Sequence, residues 1–167
     1  LTNIKNMTLI TPANCLANLV KQSFLKEYPV EVIHNEINKD IFKPTPSDFR
    51  EKYNINDKKV ILGVASTWDQ RKGLDDFIKL SNIIDDNYVI VLVGLNKKQA
   101  KMMNDNVICI EKTNSKEELA KIYSVADCFF KPTYEDNYPT VNLEANACGT
   151  KAITSDVGGS KETVTNG

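Results

Sequence analysis

Two apolar runs, residues 59–65 (KVILGVA) and Tyr88–Val93 (YVIVLV), constrain the fold of this 167-residue chain more than any other feature. Apolar runs of this length without polar alternation are typical of strands that are covered on both faces, as in parallel sheets. Between them, residues 73–84 carry apolar side chains at helical spacing: Leu74, Phe77, Ile78 and Leu80. Strand, helix and strand in this order predict a parallel unit with a right-handed crossover.

The same alternation extends along the whole chain. Further strands are predicted at residues 7–11, 30–33, 107–110, 128–131 and 152–154. Helices are predicted from residue 14 onward, at 49–53, 97–103 and 139–148, from residue 115, and from residue 161. The pattern predicts an α/β fold, a doubly wound parallel sheet with helices on both faces. Because no repeat or low-complexity linker interrupts it, we expect a single domain over residues 1–167.

Two helices carry local signals. The helix that starts near Asn14 has a predicted apolar face at Leu16, Leu19, Val20 and Phe24. The helix near residue 115 is predicted to start with a capping box, in which Ser115 and Glu118 each accept the other's backbone N–H.

Composition excludes several classes of protein. Hydrophobic residues make up 41% and charged residues 26%, as in ordinary globular domains. A net charge of −1 and a pI near 5.9 do not favour a nucleic-acid partner. Cys15, Cys109, Cys128 and Cys148 lack metal-ligand spacing, and Cys109 and Cys128 are expected to be small buried thiols. With no apolar run long enough to span a membrane and no signal peptide, we expect a reducing, cytoplasmic location.

Ligands of parallel sheets bind outside the carboxyl ends of the strands, so residues that directly follow strands are the candidates. After the strand at 59–65 come Arg71, Lys72 and Gly73, immediately before a helix. Two cations beside the positive end of a helix are favourable if an anion lies between them. The alternative is a solvated Arg–Lys pair on an exposed loop.

The stretch 131–149 (KPTYEDNYPTVNLEANACG) carries the strongest functional signal. A helix that begins at Pro139 offers unpaired backbone N–H groups, which bind anions. Asp136 and Glu144 lie on either side of this helix start with seven residues between them, and carboxylates suit neutral hydroxyls. A phosphate and a polyol in one place indicate a sugar nucleotide. Because Glu144 lies on a mostly apolar helix, it needs a partner if it is buried, the alternative being an exposed helix carboxylate.

Other loops give weaker signals. Residues 111–114 could contact a nucleobase through backbone groups or could be a plain connection. His34 is the only histidine and is expected to be structural, which disfavours hydrolase chemistry. No G-x-G-x-x-G motif follows a strand, which disfavours a dinucleotide-binding domain.

Several of these segments together resemble a known family. The segments are ITPANCLANLV, VEVIHNEINKDIFKP, RKG, ADCFFKPTYEDNYPTVNLEANACGT and VGGSKETV. They are similar to the C-terminal, nucleotide-sugar-binding half of retaining GT-B glycosyltransferases of group 1. The most specific features are RKG after a buried strand and the acid-x7-acid spacing across a strand-to-helix turn.

The resemblance implies a role for each matching residue. It implies no metal, no cofactor and no certain catalytic residue in this half; the substrate would be a UDP-, GDP- or ADP-linked sugar. Asp136 would contact the donor sugar and Glu144 the ribose. The loop with Lys112 and Thr113 is a candidate for the base contact only from its place after a strand. The donor diphosphate would be held by Arg71, Lys72, Asn137, Tyr138, Pro139 and Thr140.

Three positions depart from the family pattern. The first acid of the spacing is usually glutamate, whereas here it is Asp136, with Glu135 one residue away. The position six residues before Lys72, often arginine, is Ser66. The usual Asn-Gly pair after the first strands reads Asn35-Glu36.

The resemblance also implies what the full-length protein would do. It would transfer a sugar to a glycan or lipid-linked acceptor bound by an N-terminal half that is absent here, with peripheral association at the inner face of the membrane. The 167-residue chain is then expected to bind the donor without turnover. Two alternatives stay open: half of a sugar-nucleotide 2-epimerase, for which one histidine is a poor supply of acid–base groups, and a nucleotide-binding module without chemistry.

Overall fold

A computed structural model describes residues 4–164 and confirms the α/β fold with its parallel sheet flanked by helices. The strands are β1 Leu9–Thr11, β2 Val30–Val32, β3 Lys59–Val64, β4 Tyr88–Val93, β5 Val107–Ile110, β6 Cys128–Lys131 and β7 Ala152–Thr154. The helices are α1 Asn14–Val20, α2 Phe49–Lys52, α3 Leu74–Ser81, α4 Lys97–Ala100, α5 Lys116–Val125 and α6 Thr140–Ala147. Short 3-10 helices cover Gln70–Lys72 and Ser160–Thr163, the latter where a helix from residue 161 was predicted.

The main sheet has five parallel strands in the order β5-β4-β3-β6-β7. Its central strands are apolar on both faces because each face is covered by a separate core cluster. In β4, Val91 belongs to one cluster with Tyr123 and Phe129, whereas Leu92 belongs to the other with Phe77. This two-sided burial explains why the strand sequences show continuous apolar runs.

The order of strands reverses direction at the junction of β3 and β6. From β3 the chain proceeds through β4 to β5 on one side, and it then returns to place β6 and β7 on the other. Pairing across this junction covers only Ile61 with Cys128 and Leu62 with Phe129, although each strand continues for two more residues. The carboxyl ends of β3 and β6 therefore border a crevice, which is where parallel sheets bind ligands.

The strands β1 and β2 are not part of the predicted sheet. They pair with each other in a separate two-stranded parallel sheet, from Leu9 opposite Val30 to Thr11 opposite Val32. Helix α1 packs against both strands, and this β1-α1-β2 segment exposes several large apolar side chains. The exposed fractions are 64% for Ile10, 57% for Leu19, 70% for Phe24 and 55% for Ile33. The predicted apolar face of the first helix is thus partly wrong, since α1 ends at Val20.

Local details differ from the predictions in two places. The Ser115 hydroxyl accepts the N–H of Glu118 at 3.2 Å, but the Glu118 carboxylate accepts the N–H of Asn114 at 2.6 Å, so only half of the predicted capping box forms. All four cysteines are free thiols; Cys109 and Cys128 are half-buried rather than buried. Within residues 4–164, no helix is both long and apolar enough to cross a bilayer.

Candidate ligand-binding site

Two adjoining cavities open at the carboxyl ends of β3 and β6. We call them the lysine cavity, of about 290 Å³, and the Glu144 cavity, of about 320 Å³. The first is just below, and the second just above, the lower limit of the range of about 300–1,000 Å³ that is typical of small-molecule sites. They share a wall formed by Val64, Ala65, Ser66 and Val141. A ligand with two connected parts can therefore occupy both.

The RKG segment is positioned by the loop that follows β6. Gly73 adopts a left-handed backbone with φ of +78°, and a Cβ atom there would clash with the carbonyl oxygen of Pro132. The Arg71 carbonyl accepts the N–H of Tyr134 at 2.9 Å. Glycine is thus required at residue 73 both for its φ and for this close approach, and the contact places Lys72 beside β6.

Lys72 and Lys131 share one carboxylate oxygen. The Nζ atom of Lys72 lies 2.8 Å from Oδ2 of Asp136, and Nζ of Lys131 lies 2.7 Å from the same oxygen. Burial by itself raises the pKa of Asp136, but the hydrogen bonds from Lys131 and Lys72 outweigh it and lower that pKa overall. For Lys131, burial is the largest effect and lowers the pKa, against the opposing influence of Asp136. This cluster carries more positive than negative charge, which suits an anion.

Lys131 was not among the predicted site residues. It closes the apolar run of β6, and its side chain is only 7% exposed. A signal for it exists in the sequence: alternation along β6 places residue 131 on the same face as Phe129, which is fully buried. A lysine at an inward-facing position at the carboxyl end of a parallel strand indicates a functional cation.

The helix α6 begins at the lysine cavity. Pro139 occupies its N-cap position and supplies no side-chain cap, and Gly149 with φ of +86° follows its end. Of the residues predicted to hold a diphosphate, Lys72, Tyr138, Pro139 and Thr140 line the cavity.

Two predicted diphosphate residues lie elsewhere. Arg71 and Asn137 are not among the described residues that line the lysine cavity. Arg71 is 52% exposed and lies 4.0 Å from Asp69, and Asn137 is exposed.

Glu144 has the partner that its position on an apolar helix requires. The Tyr123 hydroxyl donates to Oε2 of Glu144 at 3.0 Å. Burial raises the pKa of Glu144 above its ordinary value, although Tyr123 and Lys116 oppose this effect. The predicted base loop reaches the same cavity, which is lined by Glu111, Lys112 and Thr113.

The structure also places the positions at which the sequence departs from the family pattern. Asp136 lines the lysine cavity, whereas the Glu135 side chain is exposed. Ser66 lines both cavities, and Asn35 lines the lysine cavity. His34 is exposed, and its ring stacks on Tyr138 with 4.7 Å between centroids. Its Nδ1 lies 2.8 Å from the Pro12 carbonyl oxygen, which can only accept, so Nδ1 donates.

Metal binding is not suggested by the described part of the chain. Within residues 4–164, no group of three or more His, Cys, Asp or Glu side chains could hold a metal ion.

A parallel sheet with cations and a helix N-terminus at its switch point, beside a carboxylate-lined cavity, fits the arrangement expected of the C-terminal half of a GT-B glycosyltransferase. The sequence profile of the glycosyl transferases group 1 matches residues 46–167, and the chain belongs to this family.

Curated relatives are glycosyltransferases. The chain is 28% identical over 122 residues to N,N'-diacetylbacillosaminyl-diphospho-undecaprenol alpha-1,3-N-acetylgalactosaminyltransferase of Campylobacter jejuni, covering 71% of this chain and 32% of the relative. It is 29% identical over 161 residues to the O-antigen chain mannosyltransferase RfbU of Salmonella typhimurium, covering 89% and 43%. The chain thus spans less than half the length of these relatives.

Solved structures share the fold. Sucrose-phosphate synthase from Thermosynechococcus elongatus superposes with a TM-score of 0.76 at 25% identity, over 91% of this chain and 41% of that one. Anabaena HepE in complex with UDP and glucose superposes with a TM-score of 0.75 at 17% identity, over 95% and 47%.

Proposed function

We propose that this chain is the donor-binding half of a retaining glycosyltransferase that transfers a sugar from a nucleoside diphosphate sugar to a glycan or lipid-linked acceptor. The observation that carries the proposal is the pair of adjoining cavities at the junction of β3 and β6. One cavity contains two ammonium groups and a helix N-terminus, and the other contains Glu144 and the base loop. A diphosphate suits the cationic cavity and a nucleoside suits the cavity with Glu144. In a nucleoside diphosphate these two parts are adjacent, as the cavities are.

Each part of the donor has a matching group. The diphosphate would bind Lys72 and the N–H groups at the start of α6, because a helix N-terminus carries positive potential. Glu144 would accept hydrogen bonds from the ribose hydroxyls, as its oxygens already accept one from Tyr123. Lys112 and Thr113 would border the base, and Asp136 would face the donor sugar.

The same groups would promote transfer. When the bond between the sugar and the diphosphate breaks, negative charge develops on the leaving diphosphate. Fixed cations and N–H groups that are already aimed at that position stabilise the charge without reorganising, which is usually the largest electrostatic contribution to catalysis. This chain would therefore supply the binding and the leaving-group stabilisation. We assign no catalytic residue within it.

We further propose that the acceptor binds to an N-terminal half of the full-length protein. Two observations support this proposal. Ile10 in β1 and Ile33 directly after β2 are exposed, whereas parallel sheets are normally covered on both faces. The curated relatives named above are more than twice as long as the part that the chain matches. We place the full-length enzyme in the cytoplasm, at the inner face of the membrane when its acceptor is lipid-linked.

Binding of nucleoside diphosphates to the 167-residue chain tests the donor site. We expect UDP, GDP or ADP to raise its melting temperature, since a ligand at about a hundred times its Kd stabilises by about 2.7 kcal/mol. Lys72→Ala and Glu144→Ala should weaken that binding. The control is Glu135→Gln, an exposed carboxylate next to Asp136, which should bind as the parent does. Unchanged binding in Lys72→Ala and Glu144→Ala would overturn the site assignment.

A further inference from the structure

We propose that Lys131 is a second diphosphate-binding cation of this site, and that Asp136 holds it and Lys72 in place until the donor arrives. This inference rests on the proposed function, because it assigns a further residue to the same donor site. It concerns a residue that neither the sequence motifs nor the comparisons single out.

The burial of Lys131 is the first argument. Its side chain is 7% exposed, and an ammonium group removed from water costs several kcal/mol unless it is paired. An apolar residue at position 131 would avoid this desolvation cost. The two preceding positions of β6 are apolar, Phe129 and Phe130. A buried lysine that lines a cavity is more costly than the fold requires, which indicates a role in the cavity.

The shared oxygen is the second argument. Lys72 and Lys131 both contact Oδ2 of Asp136, at 2.8 and 2.7 Å. One carboxylate cannot neutralise two ammonium groups, and burial together with the charges of Lys72 and Arg71 keeps the pKa of Lys131 lowered. A diphosphate has several oxygens and can give each ammonium group its own acceptors. The single oxygen of Asp136 must be shared between the two. The geometry of this cluster therefore suits a polyanion.

The position of the two lysines is the third argument. Lys72 follows β3 and Lys131 ends β6, so they approach the lysine cavity from the two strands that diverge at the junction. A diphosphate at the N-terminus of α6 would lie between them. Because each ammonium group has three N–H donors, both lysines can bind the ligand while each still donates to Asp136. Formation of the complex then leaves no buried charge without a partner.

Calorimetry on two variants tests the proposal. Lys131→Met keeps the length of the side chain and removes its charge, and Lys59→Met makes the same change in a lysine that pairs with Asp127 away from the cavities. UDP, GDP and ADP are each titrated beside the matching nucleoside. We expect Lys131→Met to weaken binding of the diphosphate about ten- to hundredfold and to leave the nucleoside unchanged. Lys59→Met should change neither.

Stability separates a binding role from a structural one. In Lys131→Met, Asp136 keeps Lys72 as its partner, so the urea midpoint should stay the same or rise. A lowered midpoint with equal losses for nucleoside and diphosphate would show that Lys131 is structural and would overturn the inference. Diphosphate binding that is unchanged in Lys131→Met would overturn it as well. If the parent chain binds none of the three diphosphates, the proposed function itself fails, and that result is distinct from the other two.

Discussion

The strand β6 has a carboxylate with two cations near each of its ends, and the two clusters differ in what surrounds them. Asp127, just before the strand, contacts Arg50 at 2.8 Å and Lys59 at 3.1 Å. Asp136, beyond the strand, contacts Lys72 and Lys131. We call these the amino-end and carboxyl-end clusters. They contain the same kinds of charge and lie at opposite ends of the strands of the same sheet.

The difference is in how the charges are satisfied. In the amino-end cluster, Asp127 also accepts the backbone N–H of Val60 at 2.8 Å, and Arg50 donates to the carbonyl oxygens of Val125 and Lys58. Its donors and acceptors are used to join segments of the backbone. In the carboxyl-end cluster, the two lysine side chains converge on one oxygen of Asp136, and all three residues line a cavity. The first arrangement fits a role in stabilising the fold, whereas the second is the arrangement to which we assign ligand binding.

The largest expected effect is on the carboxyl-end cluster. The double variant Lys72→Met/Lys131→Met should lose more than about a hundredfold in affinity for nucleoside diphosphates, about 2.7 kcal/mol. It removes both cations and leaves Asp136 unpaired, so the carboxylate then repels the anion. Isothermal titration with UDP, GDP and ADP measures the loss. A double variant that binds no more weakly than either single variant would contradict the expectation that each lysine contributes its own share of the affinity.

The next effect is on the amino-end cluster. Asp127→Ala should lower the free energy of unfolding by about 2 kcal/mol, because Val60 N–H and two cations lose their acceptor. Burial raises the pKa of Asp127, but Val60, Lys59 and Arg50 outweigh it and lower that pKa overall. Its contribution is therefore present above the ordinary pKa of 3.8 and is lost as the pH falls through the lowered value. Urea unfolding at several pH values measures this.

The control for that prediction is Asp57→Ala, an exposed carboxylate on the loop before β3. Its free energy of unfolding should remain within about 0.5 kcal/mol of the parent. Nucleotide affinity should be unchanged in both variants. A weaker nucleotide complex in Asp127→Ala, once its stability loss is allowed for, would contradict the division of roles between the clusters.

A smaller effect is expected from Glu144→Gln, which should weaken binding but increase stability at neutral pH. Glu144→Gln should weaken nucleoside binding about tenfold, since a charged acceptor for hydroxyls becomes neutral. Because burial raises the folded-state pKa of Glu144 above 4.5, ionisation costs stability as the pH rises from 4.5 through the raised value. The variant should thus be the more stable protein at pH 7 and equal to the parent below pH 4. Thermal unfolding at the two pH values decides this.

The smallest effect is expected from Lys59→Met. Lys59 is 66% exposed, and exposed ion pairs contribute about 0–1 kcal/mol. Its loss should change the urea midpoint little and nucleotide affinity not at all. A loss of several kcal/mol would show that the amino-end cluster depends on both cations.

Much of the fold follows from local sequence patterns. The apolar runs of β3 and β4 are strong signals because both faces of these strands are buried. The helical spacing of apolar residues in α3 is a strong signal because one face of this helix is buried. The separation of β1 and β2 from the main sheet could not be predicted. Which strands pair is decided by tertiary packing, and short apolar strands such as Leu9–Thr11 look alike wherever they pair.

The candidate site was predicted in the same uneven way. Lys72 and Asp136 stand out because they lie in loops that follow strands, and Glu144 stands out because it interrupts an apolar helix. Tyr123, the partner of Glu144, lies on another helix, and in the sequence it reads as an ordinary core residue. The inward-facing position of Lys131 follows from the alternation along β6, but its contact with Asp136 depends on the loop after β6 folding back, which no periodicity reveals.

The short pairing between β3 and β6 has a consequence for cooperativity. Two residue pairs join the β5-β4-β3 part of the sheet to the β6-β7 part, fewer than join any other neighbouring strands. A ligand held by Lys72 on one side and Lys131 on the other would act as a crosslink between these parts. A bound donor would then strengthen the connection between the two parts of the sheet. The two parts would separate less readily with the donor bound than without it.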